Sequence, residues 1–214
     1  LKSEVLQSKC GYSADRISVL GSWIMDPLKF VKDNTYGINK LNISPDEKVD
    51  KLLLRFSAIC GAVAVQPIPF ADIFILTPIQ LYMGTLIAEA RGYKFSMSDV
   101  YKEILGLIGL AYLAQQTAIG LYKTVLPFLG AITTIPLVFI LTYAIGKVMD
   151  YYFVSKTQGK KLTKDDLVKA FKQARKDAKK NFSKDEIKKK TKEAKEEMAN
   201  YKPSAKEFVQ KNID

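Results

Sequence analysis

The chain has 214 residues, 48% hydrophobic and 26% charged, which is enough apolar sequence for one or two packed domains and too much for a disordered one. It contains no histidine, which excludes a Ser-His-Asp triad and imidazole acid/base chemistry, and its two cysteines lack paired spacing, which largely excludes zinc and other transition-metal centres. The net charge of +11 is uneven: residues 1–155 carry 14 Lys+Arg against 12 Asp+Glu, and residues 156–214 carry 19 against 10, so the surplus belongs to the tail.

In chain order, residues 1–48 read as an N-terminal helical segment, broken at Asp26-Pro27 and again in the stretch NTYGINKLNISP. No basic and apolar leader opens it, and Leu1 is expected to mark a processed or trimmed start. Cys10 sits in polar sequence and Cys60 in apolar sequence, which is no disulfide framework and points to a reducing compartment. Ser44-Pro45-Asp46-Glu47 has the form of a helix start, with a cap, a proline at the first position and acids in the first turn. Val49, Leu52, Leu53 and Phe56 then recur at helical spacing.

Residues 49–155 form an apolar domain with four charge-free runs: Phe56 to Ala71, Ile73 to Ala88, Ile104 to Tyr122 and Thr124 to Gly146. A membrane-spanning helix needs about 20 such residues, a length that the last two runs meet. Only Lys123 separates those two, so a tight hairpin turning near Tyr122 to Pro127, or a re-entrant pair that never crosses fully, is expected rather than two complete spans, close-packed through Gly106, Gly109, Ala111, Ala114 and Ala118. Tyr151, Tyr152 and Phe153 suit a membrane interface.

Residues 156–214 read as a Lys-rich helical tail. Thr163 with Asp166, and Ser183 with Glu186, have capping-box spacing. Behind them run two narrow apolar seams, Leu167, Phe171, Ala174, Ala178 and Ile187, Thr191, Ala194, Met198, each expected to pack on the other helix or on a partner. Tyr201-Lys202-Pro203 closes the second helix. Lys156, Lys160, Lys161 and Lys164, which follow the apolar block directly, are the candidate lipid-facing basic residues. The excess of lysine places the tail on the cytoplasmic side, or its equivalent, of an inner or organellar membrane. Interleaved Asp and Glu argue against nucleic acid as its partner.

Catalytic patterns are missing. Neither Gly146-Lys147-Val148 nor Gly159-Lys160-Lys161 has the glycine and Ser/Thr that a phosphate loop needs. Asp72 and Glu89, the interior carboxylates, would lie roughly 25 Å apart on one helix, too far to share a substrate. A non-enzymatic protein without cofactor or metal is expected.

The stretch AVAVQPIPFADIFILTPIQLYMGTLIAEARGY resembles the signature of the bacterial YcjF-like family of unknown function, whose domain also follows some Era-like GTPases. The matching positions are Pro67, Pro69, Asp72, Gln80, Met83, Ile87, Ala88, Gly92 and Tyr93, and the likeness continues through TYAIGKVMDYYF. A more distant resemblance is to the EcsC-type family. Arg91 departs from the pattern, and no GTPase domain is present in this sequence. The resemblance implies a helical, membrane-associated module working beside a GTPase or envelope complex. Within it, Pro67 and Pro69 break the helix, and Asp72 is expected in the first turn of the next one, where free N–H groups accept a carboxylate. Gln80 is two turns on and placed to bond across to another helix.

The expectation is therefore an all-α protein of apolar helical hairpins, membrane-inserted or membrane-associated, with a basic helical tail, acting as a scaffold that anchors a protein partner. Two rivals remain: an oligomeric pore lined by Asp72, Gln80, Gln115 and Gln116, and a soluble helical interaction domain of a larger assembly.

Overall fold

The computed structural model describes residues 27–64, 71–105 and 127–201, with side chains given for 27–64, 75–103 and 134–201, and its regular structure there is all helical. Helix α1 covers residues 27–35 and runs into a 3-10 turn, Tyr36–Lys40. Next come α2 (Pro45–Val63), α3 (Ala71–Ala90) and α4 (Met97–Val100), the last continuing as a π-helical turn, Tyr101–Leu105. The long α5 (Pro127–Thr157), α6 (Lys164–Asn181) and α7 (Lys184–Asn200) follow.

Several of these boundaries are written locally. Ser44 Oγ accepts the Glu47 N–H at 3.2 Å while the Glu47 carboxylate accepts the Ser44 N–H at 3.0 Å, a capping box that satisfies two orphan donors at the start of α2. Thr163 and Asp166 repeat it at α6. At α7 only half of the expected box forms: Ser183 accepts the Glu186 N–H, and the Glu186 carboxylate lies instead 4.0 Å from Lys190. Gly92 ends α3 with a φ of 85°, the Tyr93 N–H bonding back to Ala88 O at 2.8 Å and the Gly92 N–H to Glu89 O at 3.0 Å. That left-handed turn favours glycine, and Gly159 closes α5 in the same way.

Helices α2, α3 and α5 form the centre, with α2 antiparallel to the other two. Gln80 of α3 lies beside Thr142 of α5 and Arg91 beside Asp150, whereas Asp50 of α2 meets Lys147 and Gly61 lies beside Ile135. The antiparallel α2–α3 pair is the expected hairpin, its break lying between Val63 and Ala71. Leu53, Phe56, Ile79, Met83, Phe139 and Met149 are fully buried between them, each stabilising the bundle by about 1.5–3 kcal/mol. Side chains of α2 and α3 fill the space over Gly146, where a Cβ would fall 2.0 Å from Leu53 Cδ2 and 3.1 Å from Met83 Cε.

The two tail helices belong to this same core. Leu167 and Ala178 of α6 are buried against α5, and Phe182 stands edge-on to Phe139 and Tyr143 at 5.4 and 5.1 Å. Ile187, Thr191 and Ala194 of α7 are buried against α2 and α5. The partner that each seam finds is thus the chain's own centre.

Among the described residues one helical stretch, Thr134–Thr157, is long and apolar enough to cross a membrane, with a mean hydropathy of 1.5. Of its most apolar window 61% is buried inside the protein. The other half of the expected second hairpin, with Gly106 to Ala118 and the Gln115-Gln116 pair, lies outside the described residues.

Candidate functional site

The antiparallel arrangement sorts charge along the bundle. In α2 the charged residues lie in the first half and in α5 in the last; α3 is nearly charge-free, with Asp72 at its start and Glu89, followed by Arg91, at its end, so the charged ends of α2 and α5 meet beside Glu89 and Arg91. The charge-free stretches, Phe56 to Val63, Ile73 to Ala88 and Pro127 to Gly146, extend toward the other end.

At the ion-paired end Arg91 is the centre. Its Nε and Nη2 reach Asp150 Oδ1 and Oδ2 at 2.7 and 3.1 Å, and its Nη1 reaches Asp46 Oδ1 at 2.7 Å. Arg91 and Asp150 expose only 14% and 15% of their side chains, so the two-pronged bond sits in a partly desolvated site. Asp150 bonding holds the guanidinium pKa above its usual range, against the opposing effect of burial. Lys147 and Asp50 add a pair at 2.9 Å. Arg91 is therefore the joint between three helices.

Beside it lies an aromatic cluster. Tyr93, Phe95 and Phe153 contact one another at centroid distances of 5.3–6.1 Å. Lys156 Nζ stands over the rings of Phe95, Tyr152 and Tyr93 at 4.8, 5.6 and 5.8 Å and bonds to Glu103 Oε2 at 2.7 Å. The Tyr152 hydroxyl donates to the same carboxylate. Burial pushes the Glu103 carboxyl up, but bonds from Lys156 and Tyr152 outweigh it and hold the pKa below the usual carboxylate range. The Glu103 bond raises Lys156 in return. Sequence reasoning missed this helix, although Ser96-Met97-Ser98-Asp99 carries the capping-box pattern that forms here, with Ser96 Oγ accepting from Asp99 N–H at 3.2 Å.

The motif residues fall into place unevenly. Gln80 is buried and donates to Thr142 Oγ1 at 3.1 Å, the cross-helix bond expected of it. Met83 is buried against Gly146, Gly92 forms the left-handed terminus, and Tyr93 joins the aromatic cluster. Gln80, Met83 and Tyr93 face α5, whereas Gly92 is exposed past the end of α3. Asp72 is the second residue of α3, within its first turn, but its side chain lies outside the described residues, as do Pro67 and Pro69 altogether.

Of the tail lysines, Lys156 is tied to Glu103, Lys160 stands 6.0 Å over Tyr151, and Lys161 and Lys164 are exposed. Lys156, Lys160 and Lys161 line a cavity of about 380 Å³ at the end of α5. A second, open groove of about 610 Å³ is lined by Phe30 and Tyr201 with Glu193, Glu196 and Glu197. Among the described residues no group of three or more acidic or Cys side chains is arranged to hold a metal ion.

No family model, no curated protein and no solved structure matches the chain.

Proposed function

We propose that the chain is a non-enzymatic adaptor that seats the charge-free end of its bundle in a membrane and presents its ion-paired end to a protein partner. The observation that carries this is the segregation of charge. Three central helices, two running one way and one the other, each turn a stretch without Lys, Arg or Glu toward the same end, Asp72 being the one carboxylate that these three helices carry there. A soluble bundle needs no such alignment, because charged residues normally cap both ends of a surface helix.

Seating by one end, rather than crossing along α5, follows from the packing of that helix. Its C-terminal half carries Lys147 and Asp150 in ion pairs and is flanked by the charged α6, a surface that hydrocarbon would not solvate. The likeness to the YcjF-like family supports the other half of the proposal, a partner such as a GTPase or an envelope complex. The same burial of α5 favours a second possibility, an interaction domain whose charge-free end docks into a larger protein assembly.

Membrane fractionation separates the two. Seating in a bilayer predicts sedimentation with membranes, resistance to carbonate and release by detergent. Release by salt or carbonate alone points to a protein assembly and overturns the membrane proposal.

A further inference from the structure

The lysines that follow the apolar block in sequence are remote from the charge-free end in space. Thr157, which they adjoin, lies about 33 Å along α5 from Ile135 at 1.5 Å per residue. A different set of cations is near. Helix α6 runs back along α5 toward the charge-free end: its first turns neighbour Tyr151, and Phe182, just past its end, touches Phe139 and Tyr143. Helix α7 then passes Gly61 and Ile135, with Thr191 Oγ1 3.0 Å from where a Gly61 Cβ would stand. The corner between α6 and α7 therefore sits at the height of residues 135–143 of α5, beside the ends of α2 and α3.

That corner is rich in exposed lysine. Lys179, Lys180, Lys184, Lys188 and Lys189 are all solvent-exposed, and none of them forms a salt bridge among the described residues. Against them stand Asp185 and Glu186, the latter facing Lys190. The backbone beneath is held by the Phe182 ring against Phe139 and Tyr143 and by the Ser183 cap. An ammonium on a flexible stem above an apolar end reaches the phosphates of a bilayer surface, each such residue adding about 1 kcal/mol on an anionic leaflet.

We infer that Lys179, Lys180, Lys184, Lys188 and Lys189 form the anionic-lipid contact of this protein, a basic collar around the end that enters the bilayer. The inference rests on the proposed seating of that end. Lys160, Lys161 and Lys164 point to the far end and take no part in lipid contact.

The test is flotation of the full chain with phosphatidylcholine vesicles, with and without phosphatidylglycerol. Wild type is expected to bind both and to prefer the anionic ones. Replacing the five corner lysines by Gln is expected to lower partitioning onto the anionic vesicles by more than about tenfold and leave the neutral ones unchanged. Lys160, Lys161 and Lys164 replaced by Gln is expected to behave as wild type. A corner variant that keeps the anionic preference, or a loop variant that loses it, overturns the collar and leaves the seating intact. Binding to neither vesicle by wild type overturns both. Should the corner variant fail to fold, lysine acylation of vesicle-bound wild type decides: protection of the five corner lysines is expected, and labelling equal to that in free protein overturns the collar.

Discussion

Arg91 clasps Asp150 through two hydrogen bonds, Nε to Oδ1 at 2.7 Å and Nη2 to Oδ2 at 3.1 Å, and so ties the C-terminus of α3 to α5. The cation also sits where the α3 dipole favours it. Arg91→Met leaves Asp150 15% exposed without its cation and is expected to lower unfolding free energy by about 2–4 kcal/mol in urea titration. Asp46→Ala removes a carboxylate that is 81% exposed and is expected to change it by less than about 1 kcal/mol. Equal effects from both would refute the clasp.

Gly92 and Gly146 are glycines for different reasons. A Cβ at Gly92 meets nothing within 4 Å, so Gly92→Ala is expected to show only the strain of φ 85°, about 1–2 kcal/mol. Gly146→Ala would force the Leu53 and Met83 side chains to move and is expected to cost about 1–3 kcal/mol in urea titration, through repacking rather than backbone strain.

Two buried hydroxyls, Ser57 Oγ and Thr191 Oγ1, have no hydrogen-bond partner among the described residues. A buried hydroxyl without a partner costs free energy, so both are expected to weaken the docking of α7. Ser57→Ala with Thr191→Val is expected to raise stability by about 1 kcal/mol and to slow amide exchange in α7. A loss of stability would mean that the hydroxyls are satisfied.

The Glu103–Lys156 pair sets a pH window. Glu103 is held below its unfolded value, so its contribution is complete above about pH 4.3 and disappears as pH falls through the folded value. Lys156 is raised, and its contribution is complete below about pH 10.4 and disappears as pH rises through the folded value. Glu103→Gln is expected to flatten both limbs of a stability-against-pH curve. Because the pair is more than a third exposed, the effect is small, within about 1 kcal/mol.

What was legible in the sequence was local. Caps at Ser44 and Thr163 and the seams of α6 and α7 depend on residues within a turn or two of one another. The cross-helix role of Gln80 was legible, but its partner Thr142, 62 positions away, was not. What was not legible depends on pairing between distant segments. Arg91 bonds partners 59 and 45 positions away, and Glu103 reaches 53 positions to Lys156. A thin apolar seam also leaves its partner unspecified, so nothing in α6 or α7 announces that both pack on the central helices. The height of a lysine relative to the charge-free end follows from helix direction, which sequence adjacency does not encode.

The most direct test of membrane seating is depth. A fluorophore on Leu129→Cys, in the first turn of α5 beyond the height of the lysine corner, and one on Gln158→Cys, exposed at the far end of that helix, are compared in vesicles of brominated lipid, with Cys10 replaced by Ser. Seating predicts strong quenching at position 129 and none at 158. Equal quenching at both positions, or none at either, would contradict it.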